Sequence, residues 1–118
     1  MKLVVTAQGP TLDSPVDPRF GRARYFLLVD SDTGSFTAHD NVQNLNAAQG
    51  AGIQAAQTVV ELGAEAVLTG NVGPKAFTTL QAGQVAVYPG AAGTVREAVE
   101  QWRSGSSQPA AKATVQGH

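Results

Sequence analysis

Arg19, Arg22 and Arg24 fall within six positions, with Phe20 and Gly21 among them, and make up three of the chain's eight lysines and arginines. A guanidinium is always charged and offers a planar set of N–H donors, so such a group suits an oxyanion or another polyvalent anion. The competing reading pairs these arginines with the nearby acids Asp13, Asp17 and Asp30 and uses Phe20 as an apolar anchor for the loop. Three glycine-rich turns offer a second source of positive potential: Gly50-Ala51-Gly52, Gly70-Asn71-Val72-Gly73-Pro74 and Gly90-Ala91-Ala92-Gly93-Thr94. Each precedes a helix-patterned stretch, and the first turn of a helix has unpaired N–H groups and a partial positive charge. Converging, the three would make an anion cradle; taken singly, each is an ordinary strand-to-helix turn.

Other chemistry is scarce. The chain has no cysteine, which removes disulfides, thiolate nucleophiles and cysteine-held zinc or iron–sulfur sites. Its two histidines are His39, in a strand pattern, and His118, the last residue; neither has a fixed partner suited to general base work. Asp13, Asp17, Asp30, Asp32 and Asp40 sit on loops or strand ends, whereas a two-metal nuclease wants a carboxylate on the first strand, and Leu3 to Ala7 has none. Gly50-Ala51-Gly52-Ile53-Gln54-Ala55 matches G-x-G-x-x-A, but it follows a polar stretch rather than the first strand, and no acid lies about 20 residues on. No phosphate-binding G-x-x-x-x-G-K-[ST] run exists. These residues favour binding over catalysis. An interaction module that uses loop 8–24, or a small phosphate-ester hydrolase, remains an alternative.

The elements that must position the candidates follow from patterning. Leu3 to Ala7 is β-branched and continuous, as in a strand covered on both faces. Gln8 to Arg24 holds Pro10, Pro15 and Pro18 with Gly9 and Gly21, and reads as a long loop. Tyr25–Asp30 and Ser35–Asp40 form a hairpin about the turn Ser31-Asp32-Thr33-Gly34, and polar Asn41–Gln49 is a further loop. Ile53, Ala56 and Val60 predict a helix ended by Gly63, Ala66–Thr69 a short strand, Pro74 a helix start, and Gln84–Tyr88 the fifth strand. Val95, Ala98, Val99 and Trp102 recur at helical spacing, behind a Thr94–Glu97 capping box. The order β-β-β-α-β-α-β-α gives a mixed five-stranded sheet with helices on both faces and a crevice beyond the carboxyl ends of the parallel strands.

At 118 residues and 42% hydrophobic content the chain is one domain's worth of core. Residues 1–104 are expected to form the α/β domain that carries the site, and 105–118 a mobile tail poor in core-forming side chains. A formal net charge of -1 without a basic tract argues against nucleic acid as partner. The apolar run at the N-terminus is too short for a signal segment and no stretch is long enough to span a membrane, so the expectation is a cytoplasmic protein.

Four segments taken together resemble the dinitrogenase iron–molybdenum cofactor biosynthesis family, from Met1 to about Gly105. They are Phe20-Gly21-Arg22-Ala23-Arg24-Tyr25-Phe26, Gln49-Gly50-Ala51-Gly52-Ile53-Gln54-Ala55-Ala56, Leu68-Thr69-Gly70-Asn71-Val72-Gly73-Pro74-Lys75-Ala76 and Gly93-Thr94-Val95-Arg96-Glu97-Ala98. The resemblance implies a three-layer ribonuclease-H-like fold without nuclease function. It also implies a non-catalytic carrier or scaffold for an anionic metal–sulfur cluster, either a molybdenum–copper sulfide cluster or one of the iron–molybdenum type. Cluster-delivering or cluster-receiving proteins would be its partners. On this reading Arg19, Arg22 and Arg24 supply charge, and Gly21, Gly50, Gly52, Gly73 and Gly93 expose backbone donors. Gln49 and Asn71 add polar contacts, and Phe20 and Ala51 complete the lining. Family members often carry His at the position of Gln49, whose amide hydrogen-bonds well but is a poor ligand for a soft metal.

Overall fold

The strand that anchors everything is β1 (Lys2–Ala7), whose residues beyond Lys2 are all buried. Its side chains alternate between two apolar clusters: Val4 joins one, while Leu3, Val5 and Ala7 join the other. A strand of this kind needs a layer on each face, and the fold supplies both. The structure is a computed structural model that describes residues 1–41 and 50–114.

Antiparallel to β1 runs β2 (Tyr25–Asp30), in the register Lys2 to Asp30 through Ala7 to Tyr25, and β3 (Phe36–Asp40) pairs antiparallel with β2. On the other side β4 (Ala66–Leu68) and β5 (Ala86–Tyr88) continue the sheet in parallel, giving the order β3-β2-β1-β4-β5. Helices α1 (Ala51–Glu61) and α2 (Pro74–Ala82) cover one face through Ala55, Ala56, Val59, Ala76 and Leu80. Helix α3 (Val95–Arg103) covers the other through Val95, Ala98 and Val99, with Trp102 edge-on to Tyr88 at a centroid distance of 6.3 Å. The expected mixed sheet with helices on both faces is therefore present. Each fully buried Leu or Val contributes about 1.5–3 kcal/mol, which makes these two clusters the main stabilising term.

One expectation needs correction. The fifth strand begins at Ala86 rather than Gln84, because Gln84 takes a left-handed φ of 61° in the turn that follows α2 and so cannot extend a strand. The described residues beyond α3 also touch the domain. Ala110 packs against the α1/α2-side cluster and its N–H donates to the Val87 carbonyl of the edge strand at 2.7 Å. Thr114 N–H then donates to Val72 O at 3.0 Å, while Val72 N–H donates to Thr114 Oγ1 at 2.8 Å. The segment beyond α3 thus makes backbone bonds to the domain that its composition does not announce.

Candidate functional site

Loop 8–24 crosses the carboxyl edge of the parallel strands from one face of the sheet to the other: Val16 is buried in the α3-side cluster, Phe20 and Ala23 in the α1/α2-side cluster. Its crossing is tied down by β1, since Asp17 N–H donates to Thr6 O at 2.9 Å and Thr6 Oγ1 donates to Asp17 O at 2.7 Å. Thr6 Oγ1 is also hydrogen-bonded to Thr69 Oγ1 at 2.8 Å, so two fully buried hydroxyls join the ends of β1 and β4 beneath the loop. Buried hydroxyls left unpaired would be costly; here each has a partner.

From this loop the glycine turns are reached one after another. A β-carbon on Gly21 would stand 3.0 Å from both Cα and N of Gly52, so the loop lies directly on the first turn of α1. One on Gly70 would stand 2.6 Å from Cα and O of Pro18, where the loop runs beside the turn after β4. Asn71 N–H donates to Pro18 O at 2.8 Å along that contact, and Arg19 pairs with Asn71. The next turn joins by Gly90 N–H donating to Gly70 O at 3.0 Å, and Val16 N–H donates to Gly93 O at 2.9 Å. All three glycine turns and the arginine loop thus meet at one edge of the sheet.

They do not contribute alike. Gly50 and Gly73 are the N-caps of α1 and α2, and neither helix has a side-chain cap or an acid in its first turn. The partial positive charge of both helix ends is therefore left without a carboxylate of their own. Helix α3 is the opposite case. Thr94 accepts from Glu97 N–H, Glu97 accepts from Thr94 N–H, and the N–H groups of Val95 and Arg96 donate to Ser14 O and Leu12 O, both at 2.9 Å. Its end is spent within the protein and lies on the other face of the sheet, where Gly93 O supports the loop by accepting from Val16 N–H.

The arginines also differ. Arg19 is paired with Asp17, through Nε to Oδ1 at 3.3 Å and a terminal nitrogen to Oδ2 at 3.4 Å. Arg22 is half-buried and has an interaction partner, and Arg24 is exposed at the start of β2. Phe20 is 2% exposed beneath the loop, with its ring 6.1 Å from that of Phe26. Ala51 is buried, Gly52 is half-buried and Asn71 is exposed. Gln49 lies outside the described residues. Among the described residues no three His, Asp or Glu side chains are grouped to hold a metal ion, and no helix is long and apolar enough to cross a membrane.

Lys75 was not singled out from sequence. It is exposed in the first turn of α2, where the helix dipole disfavours a cation. A lysine directly after Gly-Pro at a helix start, with no acid beside it, was the available signal.

The protein is thus a compact α/β domain in which the starts of two helices and an arginine loop meet at one sheet edge. The chain belongs to the dinitrogenase iron–molybdenum cofactor family, which it matches over residues 1–105. Among solved structures it is similar to the apo form of the orange protein from Desulfovibrio gigas, at 44% identity and a TM-score of 0.94, covering 97% of this chain and 96% of that one. A NifB-like protein from Thermotoga is 34% identical with a TM-score of 0.84, covering 98% of each chain. An uncharacterized protein of Methanocaldococcus jannaschii shares 24% identity over 98 residues, 81% of this chain and 83% of its own.

Proposed function

We propose that this chain is a non-catalytic carrier or scaffold that holds an anionic metal–sulfur cluster at the carboxyl edge of its sheet. The cargo contains molybdenum and is of the molybdenum–copper sulfide or iron–molybdenum kind, handed on by cluster-delivering proteins or passed to cluster-receiving ones in the cytoplasm. The fold is of the ribonuclease-H-like type, used here without hydrolysis. One observation carries the reading: Gly21 packs onto Gly52, which brings the arginine loop onto the first turn of α1, while α2 begins beside it, also without a capping side chain. Backbone N–H groups at two helix ends, with Arg22, Arg24 and Lys75 around them, provide donors and positive potential for an anion without a covalent ligand. The close neighbours fit this reading, since both the family and the orange protein share the fold over nearly the whole chain.

The test is direct. Tetrathiomolybdate with copper is added anaerobically to the purified protein, and the visible spectrum and melting temperature are followed. The expected result is a new protein-bound absorption band and a raised melting temperature, because a ligand that binds only the folded state stabilises it. A spectrum identical to that of the reagents in buffer, with an unmoved melting temperature, sinks the proposal.

A further inference from the structure

Asp17 is a carboxylate in the wrong place for an anion site. Its side chain is 2% exposed, and its backbone is bonded in both directions to Thr6, so it has little freedom to turn away. Burying a carboxylate is costly unless it is paired and hydrogen-bonded. Arg19 supplies the pairing: Oδ1 accepts from the Arg19 backbone N–H at 3.0 Å and from Nε at 3.3 Å, and Oδ2 accepts from a terminal nitrogen at 3.4 Å. The asymmetry is what matters. The acid is sealed in, whereas the arginine side chain is 68% exposed on the strand-like stretch beside Asn71, at the edge where the glycine turns meet.

We infer that Asp17 sets the affinity of the anion site by holding the charge of Arg19 in a neutral pair. An anion seated at this edge gains that charge only in competition with the carboxylate. The inference rests on the carrier reading above and adds to it a reason why the cargo can be released: the protein keeps its own anion ready to take the guanidinium back. A surface arginine without such a partner would add a full positive charge to the site, and a carboxylate without Arg19 would repel the cargo.

Three variants separate the possibilities. Asp17→Asn keeps an oxygen that can accept the Arg19 N–H but removes the charge. Arg19→Gln removes the guanidinium and keeps that backbone donor, and the double variant removes both charges. Each is titrated anaerobically with tetrathiomolybdate plus copper at low ionic strength, after a thermal melt establishes that it is folded. The expected order is Asp17→Asn tighter than wild type and Arg19→Gln weaker, each by about three- to tenfold, with the double variant close to wild type. A double variant as weak as Arg19→Gln overturns the inference, since Arg19 would then act on the cargo directly and Asp17 only on the loop. Asp17→Asn binding no tighter than wild type overturns it as well.

Reaction of Arg19 with phenylglyoxal, mapped by mass spectrometry without any cargo, gives a readout that does not depend on the carrier reading. Asp17→Asn should react faster at Arg19, and an equal rate overturns the pairing. If wild type binds no cluster while Arg19 reacts faster in Asp17→Asn, the carrier reading fails and the inferred role in affinity falls with it, although the pair itself stands. Should Asp17→Asn fail to fold, the Arg19 Nε–H resonance of wild type replaces it: it should shift when the probe is added, and a stationary signal in a protein that binds the probe overturns the inference.

Discussion

Gly21 and Gly52 approach so closely that a β-carbon on the first would stand 3.0 Å from the Cα and N of the second and 3.3 Å from the carbonyl carbon of Ala51. These are backbone atoms at the start of α1 and cannot rotate away. Gly21→Ala must therefore lift the loop from the helix, at a cost of about 1–3 kcal/mol. A urea or thermal melt should show that loss, and cargo binding should fall with it. Gly73→Ala is the control: nothing lies within 4 Å of a β-carbon there, so it should cost under about 1 kcal/mol, the difference between Gly and Ala at a helix N-cap. Equal destabilisation by the two would refute the close-packing argument.

Thr94 and Glu97 close a reciprocal box at the start of α3, with Thr94 N–H donating to Glu97 at 2.9 Å and Glu97 N–H to Thr94 Oγ1 at 3.2 Å. Thr94→Ala should cost about 1 kcal/mol of stability. Because this helix end is consumed internally, the affinity for tetrathiomolybdate plus copper should change less than threefold once unfolding is accounted for. A larger loss of binding in folded protein would make Gly93 and the α3 end part of the site.

Thr114 grips Val72 from both sides: its hydroxyl accepts from Val72 N–H at 2.8 Å and its own N–H donates to Val72 O at 3.0 Å. Thr114→Val keeps the second bond and removes the first. Hydrogen exchange at the Val72 amide should accelerate, while the Ala110 amide, bonded to Val87 O, should stay protected. Unchanged exchange at Val72 would mean that the strap does not hold the turn after β4.

The hairpin turn carries the pH dependence. Asp30 has its pKa lowered, chiefly because its carboxylate accepts the Asp32 backbone N–H at 2.9 Å, against a smaller opposing effect of desolvation; the Thr33 N–H and the charges of the N-terminus and Lys2 add to the lowering. A carboxyl with a depressed folded pKa stabilises fully above its unfolded value, and that contribution is lost as pH falls through the folded value. Acidification below the ordinary carboxylate range should loosen the turn, seen as faster exchange or shifted resonances at Asp32 and Thr33. In Asp30→Asn the acid response of those amides should shrink.

Much of this was legible because it is local. The spacing of Val95, Ala98, Val99 and Trp102 and the Thr94–Glu97 box are properties of one short stretch, and α3 forms where they predict it. The unbroken apolar run of β1 likewise announced a strand covered on both faces. Which face of the sheet each glycine turn serves, however, is not written in the turn itself, and only the fold sets the self-capped α3 opposite α1 and α2. The arginines could be narrowed to three acids but not assigned: Asp17 holds Arg19, while Asp13 is taken by Arg96, 83 residues away, at 3.2 Å. Ala110 and Thr114 both donate backbone N–H groups to the domain, and such bonds leave no trace in composition.

Arg22 tests whether a loop arginine acts on the anion at a distance or through packing. It is half-buried on the loop between Gly21, which rests on α1, and Ala23, which is fully buried, so its backbone position is well determined. Arg22→Ala should weaken binding of tetrathiomolybdate plus copper more at low salt than at high salt, because screening shortens from about 10 Å at 0.1 M to about 3 Å at 1 M ionic strength. Titrations at both ionic strengths, with a melt at each to count only folded protein, give the two ratios to compare. A loss of the same size in both would assign Arg22 a structural task in the loop and leave the attraction for the anion to Arg24, Lys75 and the two uncapped helix ends.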